Sequence, residues 1–514
     1  MGIEVGGAQL NIANGIREFA VASPDRVAVI DGTRASTFAE VHDRSNRVAQ
    51  MLLATGLHPG AHVAFLSANR LEYVEVAAGI AKAGMVMIPL NPRSPGPELA
   101  FVTDHSDAQA FIGDDGLSAQ ASEAASGLDR VWSFDGTELG EDYEAALATA
   151  AADDPFVQVP ETEPFTIAYT SGTTGDPKGV MISHRSRTLT FYCAALGWGF
   201  GPARRTIAVA PMFHGAGFAF AYGAVHTGGT LSMLRSFDPI ELLAMVERDR
   251  PHTIFMVPAH AIFLRQLGEE VLAGYDTSSL ETIYFNAAPL PQPVKEWVHA
   301  AFPHVGIHEL YGSTEAGVVT DLRPDRIMDK ERCVGPPWFM NEVELRDDDG
   351  SPTPRGEVGE LYTRSPFLMN GYYKNVEATA ASTTDDGFFS AGDLAWQDGD
   401  NCFYIVDRKK DMIISGGSNV YPSEVEAAIV QIEGVAEAAV IGLDDDTWGE
   451  RVVAVIVSTS GEALDAARLD AQCRARMADY KVPRQWEFVA DLPRNAGGKV
   501  LKRDLRESLS SRTS

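Results

Sequence analysis

The chain has 514 residues, with 42 Lys plus Arg against 71 Asp plus Glu and a formal charge of −29 at pH 7. Hydrophobic residues make up 45% and charged residues 22%, an ordinary globular balance that excludes wholesale disorder, and the length favours two or more domains. So acidic a chain lacks the Lys and Arg footprint that a phosphate backbone demands, which excludes nucleic acid as a partner. It does not forbid an anion in one local pocket.

The opening segment, MGIEVGGAQLNIANGIREF, has neither the basic start nor the apolar run of a secretory signal. No stretch approaches about 18 uninterrupted apolar residues. The expectation is a cytoplasmic protein with no membrane span. RVAVIDG (26–32) predicts a strand, and 36–56 predicts a helix whose apolar face is Ala39, Val41, Val48, Met51 and Leu52. A strand at 62–67, a helix at 71–84 and a strand at 85–91 follow. That rhythm is what a parallel sheet covered by helices requires. Residues 113–163 turn Ala-, Asp- and Ser-rich, with few large hydrophobes except near Val131 and Trp132, and read as peripheral structure and linker.

Further strands are predicted at 165–170, 206–213, 230–235, 253–258, 282–287 and 306–312. Residues 341–410 instead alternate apolar and polar residues between Gly, Pro and Asp turns, which predicts a smaller antiparallel unit. The last hundred residues predict a helix at 424–432, strands at 436–443 and 451–458, a helix at 464–477, a strand at 486–490 and a helix after Lys502. The expected fold class is α/β: a large N-terminal domain, 1–409, of α/β subdomains plus the small antiparallel β unit, then a small α+β C-terminal domain, 410–514. Cys193, Cys333, Cys402 and Cys473 are too few and scattered for a disulfide framework or a thiolate zinc site, and reduced, buried thiols are expected. The acidic runs Asp347–Asp349 and Asp444–Asp446 read as solvated turns.

The most informative string is YTSGTTGDPKGV, Tyr169 to Val180, which follows the strand at 165–170 and precedes a helix predicted to start near Ser183. A run of Ser, Thr and Gly turns backbone N–H groups inward and adds hydroxyl donors, which makes an anion cradle. Lys178 adds a mobile positive charge. Pro177 and Gly179 around that lysine separate the loop from a Walker A motif, which weighs against a P-loop kinase or GTPase. Such runs also make plain surface loops, but strand, hydroxyl-glycine run, Pro, Lys and helix in that order favour phosphate.

This string strongly resembles the phosphate loop of adenylate-forming enzymes, the superfamily of acyl- and aryl-CoA ligases, luciferases and nonribosomal peptide synthetase adenylation domains. Seven further strings match in the family's order: PMFHGAG (211–217), NAAPL (286–290), ELYGSTEAG (309–317), GELYTRSPFLMNGYY (359–373), SAGDLA (390–395), DRKKDMIISGGSNVYPSEVE (407–426) and PRNAGGKVLKRDLR (493–506). The resemblance implies two half-reactions: a carboxylate attacks the α-phosphorus of ATP and releases pyrophosphate, then a thiol displaces AMP from the acyl-adenylate. Thr170, Ser171, Gly172, Thr173, Thr174, Gly175 and Lys178 would cradle phosphate. Asn286 with Ala287, Ala288 and Pro289 would offer groups near adenine. Glu309, Leu310, Tyr311, Gly312 and Ser313 belong to the string in which Tyr311 packs on adenine, Thr314 donates to phosphate and Glu315 faces magnesium, a hard cation that wants carboxylate oxygen. Taken alone, a Glu after Gly-Ser-Thr reads as the first turn of a helix.

Asp393 is similar to the aspartate that takes both ribose hydroxyls, with Ala391 where many relatives have threonine, and Arg408 resembles a ribose- or phosphate-contacting arginine. Lys499 resembles the lysine that bridges the incoming carboxylate and the α-phosphate, offsetting their repulsion. In the family the small domain that carries it is mobile and rotates between half-reactions. Lys410 holds the hinge position, and Gly416 and Gly417 would permit a channel for the pantetheine arm. His214 would orient the carboxylate or gate the thiol path; amino-acid-activating relatives have an acid there, so an acid without an α-ammonium is implied. Phe191, Tyr192, Phe213, Gly215, Ala216, Gly217, Phe218, Val318 and Val319 would form a roomy apolar acyl slot.

The implied activity is an ATP-dependent carboxylic acid–CoA ligase using ATP, Mg2+ and coenzyme A on an aryl, cyclic or medium-chain acid. The alternatives are a ligase that passes the acyl group to an amine and a non-catalytic nucleotide-binding relative. Phosphoryl transfer to an acid would release ADP instead. The implied partners are a small-molecule carboxylic acid and CoA or an amine, with a homodimer left open.

Overall fold

The computed structural model describes residues 9–170, 177–445, 447–461, 464–494 and 500–513. By backbone contacts the chain divides into two compact units, one from 9–170, 177–343 and 363–389, the other from Glu344–Tyr362 and Ser390 onward. The small antiparallel sheet therefore groups with the C-terminal segment.

The first unit carries two eight-stranded sheets. One runs in spatial order 317–322, 306–313, 282–285, 253–256, 205–208, 230–233, 27–31, 34–37. Its interior pairs are parallel, and its two edges, 317–322 and 34–37, are antiparallel. The other runs 371–372, 178–183, 164–170, 86–90, 62–66, 108–114, 131–134, 141–142, parallel from 164–170 onward. Interior strands such as Val86–Leu90 are buried at every position, as parallel strands covered on both faces must be.

One core cluster joins both sheets: Val29, Leu231 and Met233 with Val63, Phe65 and Met87, through side chains of the helices Phe38–Ala54, Glu72–Lys82 and Gly215–His226. The first of these helices starts with a capping box. Thr37 Oγ1 accepts from Glu40 N at 3.2 Å, and Thr37 N donates to the Glu40 carboxylate at 2.7 Å, which satisfies two orphan donors reciprocally.

One expectation needs correction. Residues 113–163 are not chiefly a linker, because Val131–Phe134 and Glu141–Asp142 extend the second sheet while Ser118–Ala125 and Tyr143–Thr149 are helices. Alanine-rich helices need few large side chains: Ala121, Ala124, Trp132, Phe134, Tyr143 and Leu147 supply the buried surface. The helix expected near Ser183 is present, and the residues between Lys178 and it form a strand. Lys178–Ser183 is a strand antiparallel to Pro164–Thr170, and the helix His184–Trp198 starts behind it with Ser183 as N-cap. Thr170 and Lys178, which flank the rest of the phosphate string, are thus paired across two antiparallel strands.

The second unit holds most of a four-stranded sheet, 342–346, 359–364, 393–397, 403–408, in which 393–397 is antiparallel to both of its neighbours. A further sheet has Val435–Asp445 antiparallel to Gly449–Ser458, which pairs in parallel with Gln485–Phe488. The helices Pro422–Ile429 and Ala466–Arg474 pack on it. All four cysteines are free and buried. Among the described residues no helix is long and apolar enough to cross a membrane.

Candidate active site

In the first unit the hairpin stem Thr170/Lys178 closes the connection that contains Ser171, Gly172, Thr173, Thr174 and Gly175; those five residues lie outside the described ones. Gly179 is required by packing, since a Cβ there would stand 2.7 Å from Ile167 Cγ2. The short strand Gly371–Tyr372 pairs with Met181 and Val180, so it docks on the same stem. Lys178 Nζ lies 5.1 Å from the centroid of the Tyr372 ring, and the Tyr372 hydroxyl donates to Glu315 Oε1 at 2.9 Å. A cation–π contact and a charge-assisted hydrogen bond thereby link lysine and glutamate through one ring.

Glu315 and Thr314 sit at the tip of a β-hairpin between Gly306–Ser313 and Gly317–Leu322, not in a helical first turn. Two glycines make so tight a tip feasible. Gly317 has φ +69, and a Cβ on Gly312 would stand 1.9 Å from Gly317 O. Ala316 N donates to Ser313 Oγ at 3.1 Å and Met369 N to Glu315 O at 2.7 Å, which fixes the turn from two sides. Glu315 Oε2 has no partner among the described residues. Magnesium usually takes one or two carboxylates and completes its shell with phosphate oxygens and water, and Glu315 fits that pattern. Among the described residues no group of three or more His, Cys, Asp or Glu could hold a metal alone.

Ala287, Ala288 and Pro289 are exposed in the loop after the strand Thr282–Phe285. Ala287 has φ +72, a strained conformation for a residue with a Cβ. Glu309 lies beneath this loop. Its Oε1 accepts from Leu290 N at 3.2 Å and its Oε2 pairs with the wholly buried Lys295 at 2.8 Å. Burial pushes the Glu309 carboxyl above the usual range and Lys295 pulls it back. The Glu309 side chain is thus committed to protein groups, and it positions the loop. Leu310 is buried in an aromatic cluster with Trp198, Phe220, Tyr284 and Trp338, and Tyr311 is half-buried on the strand opposite Thr320.

His214 is the N-cap residue of the helix Gly215–His226 and is exposed. Desolvation, with the Arg93 charge second, lowers its pKa. Gly217 is forced by packing, as a Cβ would stand 2.1 Å from Pro211 O. Gly215 faces a different neighbourhood, with Thr314 Oγ1 at 3.9 Å and Arg187 Nη2 at 4.0 Å from where its Cβ would be. Ala216 and Val318 pack with the aromatic cluster, Val319 is buried, and Phe213 is half-buried. The remaining three pocket candidates stand apart, Phe218 being buried in the core and stacked on Phe165 and Tyr222. Phe191 is wholly in the core against Tyr222, beneath Gly223, and Tyr192 is 43% exposed, because adjacent residues on a helix face different ways.

Sequence reading passed over Arg187 and gave Tyr372 no role. A signal for Arg187 existed. It stands four, seven and eleven residues before the buried Phe191, Ala194 and Trp198, at a spacing where a charge is out of place.

In the second unit Asp393 and Arg408 are direct cross-strand neighbours, with Arg408 Nε 2.6 Å from Asp393 Oδ1 and Nη1 donating to Ala391 O at 3.0 Å. Lys410 is the middle residue of the turn Lys409–Asp411. Its neighbours are anchored to different elements: Lys409 pairs with Glu360 of the four-stranded sheet at 2.9 Å, and Asp411 with Arg506 of the terminal helix at 3.1 Å. Gly416 and Gly417, φ +59 and +77, are the two central residues of a tight hairpin turn, a conformation that demands glycine for local reasons. Lys499 lies outside the described residues.

Comparison with known proteins agrees with this arrangement. The AMP-binding enzyme family model matches residues 16–373, and that of the AMP-binding enzyme C-terminal domain matches 424–499. The feruloyl-CoA synthase of Amycolatopsis sp is 36% identical over 490 residues, covering 94% of this chain and 96% of that protein. The structure of o-succinylbenzoate CoA synthetase (MenE) from Bacillus subtilis, in complex with the acyl-adenylate intermediate OSB-AMP, superposes with a TM-score of 0.87 at 28% identity, covering 96% of this chain and 98% of that one. The amide bond synthetase McbA from Marinactinospora thermotolerans gives 0.86 at 29%, covering 97% and 99%. The chain belongs to the AMP-binding enzyme family, as an adenylate-forming enzyme of the acyl-CoA synthetase type.

Proposed function

We propose that this chain is an ATP-dependent carboxylic acid–CoA ligase acting on an aryl, cyclic or medium-chain acid without an α-amino group. The observation that carries the reading is the linked set Lys178, Tyr372 and Glu315, with Thr314 at the same hairpin tip and Gly215 beside it. This set supplies a cation, a carboxylate and a hydroxyl where two anions must meet. Lys178 steadies phosphate oxygens and Thr314 donates to them. Magnesium, when bound, neutralises phosphate charge, and Glu315 is the residue to hold it. Asp393 takes the ribose hydroxyls while Arg408 holds its carboxylate in place. His214, at the head of the helix Gly215–His226, orients the acid.

Lys499 completes the first half-reaction by neutralising carboxylate and α-phosphate together, and turning about Lys410 then withdraws it so that a thiol can enter along Gly416 and Gly417. The different anchors of Lys409 and Asp411 support a pivot between them. The test is a panel of carboxylic acids incubated with ATP and magnesium and scored for AMP and pyrophosphate, then repeated with coenzyme A or amines and the products weighed. Acid-dependent AMP release that Lys499→Ala abolishes, with an acyl-CoA product, supports the reading. ADP release, or no acid-dependent turnover, refutes it. The likeness to an amide bond synthetase favours one second reading, transfer to an amine, and an amide product formed in preference to the thioester would select it.

A further inference from the structure

Arg187 is a buried cation with no counter-ion among the described residues. It is 7% exposed, and its guanidinium makes no hydrogen bond or ion pair among the described residues, with Nε orphaned. The buried residues that follow it at helical spacing, Phe191, Ala194 and Trp198, are apolar, and the other buried polar residues of this helix, such as His184, Ser186, Thr188 and Thr190, include no acid. Burial pushes the Arg187 pKa down to about 10, so the group remains charged near neutrality. A desolvated guanidinium demands a planar anion to accept its fork of donors. The fold places the tip of that fork beside two groups of the active site. Arg187 Nη2 and Thr314 Oγ1 lie 4.0 and 3.9 Å from the point a Gly215 Cβ would occupy, and glycine leaves that point open.

Resting on the ligase reading, we propose that Arg187 receives a second anionic group on the acid, so that the enzyme selects dicarboxylic acids, or acids of equivalent charge, over monocarboxylic ones. The reacting carboxylate is a poorer match. It gives up its charge when it becomes an acyl-adenylate, which would strand the guanidinium again midway through the reaction. A second carboxylate keeps its charge through both half-reactions. The Gly215 and Thr314 neighbourhood places this second group close to the reacting end of the acid.

The experiment compares acid-dependent ATP–pyrophosphate exchange for matched pairs: benzoate with phthalate, cyclohexanecarboxylate with its 1,2-dicarboxylate, and butanoate with succinate. The diacid of at least one pair should have the higher kcat/KM in the wild type, by about tenfold or more. Arg187→Met should cost that diacid about tenfold more than its monoacid, while Arg187→Lys should keep part of the preference. Preference for the monoacid in every pair overturns the proposal while leaving the ligase reading intact. So does equal loss for both members of a pair, or a rise in KM for ATP that matches the loss, which would put a nucleotide phosphate on this arginine. Exchange with no acid at all refutes the ligase reading and this inference together. If Arg187→Met does not fold, the wild-type ratios and the thermal shift of the wild type with each diacid against its monoacid decide.

Discussion

Replacing Tyr372 with Phe removes one hydroxyl and keeps the ring over which Lys178 sits at 5.1 Å. The lost bond is the 2.9 Å donation to Glu315 Oε1. A hydrogen bond to a charged group contributes about 1.5–3 kcal/mol. At about 1.4 kcal/mol per tenfold, that converts to a factor of about 10–100, which is also what removing a residue that orients a metal ligand costs. The expected outcome is a rise of about 10–100-fold in the magnesium concentration that half-saturates pyrophosphate exchange, with much of the rate restored at high magnesium. In a Glu315→Gln background the same change should add little, since the carboxylate it orients is gone. Tyr372→Leu, which also deletes the ring, should raise the KM for ATP as well by weakening the placement of Lys178. An unchanged magnesium requirement in Tyr372→Phe, or full additivity with Glu315→Gln, would refute the coupling.

Gly312→Ala puts a Cβ 1.9 Å from Gly317 O. Displacing the tip that carries Thr314 and Glu315 by about 1 Å should cost about 100-fold in exchange rate. Gly201→Ala, which meets nothing within 4 Å, is the control, and comparable activity of the two variants would contradict the argument. Buried His226 and His184 are held neutral by desolvation, with pKa values pushed down to about 4 and about 3. The unfolded chain binds these protons near pH 6.5 and the folded chain does not. Their stability contribution is therefore present above about pH 6.5 and lost as pH falls towards about 4, at about 1.4 kcal/mol per pH unit per ring. Denaturant midpoints between pH 7.5 and 4.5 should fall more gently for His226→Gln than for the wild type, and parallel curves would count against the assignment. Lys410→Pro should slow thioester formation far more than pyrophosphate exchange, and equal loss of both would remove Lys410 from the hinge.

Much of this protein is legible in its residue order. Buried strands such as Val86–Leu90 announce themselves as short apolar runs, and the glycine, threonine and lysine spacing of the phosphate string points to anion binding before any coordinates exist. Those signals are local: a strand's burial and a loop's donors depend on residues close in the chain. What local pattern misjudges is structure that depends on a distant partner. The strand Lys178–Ser183 forms because Pro164–Thr170 and Gly371–Tyr372 flank it. The Glu315 turn is a hairpin because Gly312 leaves room for Gly317. Glu309, which motif matching assigns to nucleotide, spends its carboxylate on Lys295 and Leu290.

The chemical vocabulary of the site, its lysines, hydroxyls and carboxylates, is thus set by the sequence alone. Tertiary structure alone decided which of those groups meet. Tyr372 joins Lys178 to Glu315 only because a strand some two hundred residues away docks on the phosphate hairpin. Arg187 becomes a charge without a partner among the described residues only because packing closes around it. Charge type is a property of a residue, whereas desolvation and partnership are properties of the space it is folded into.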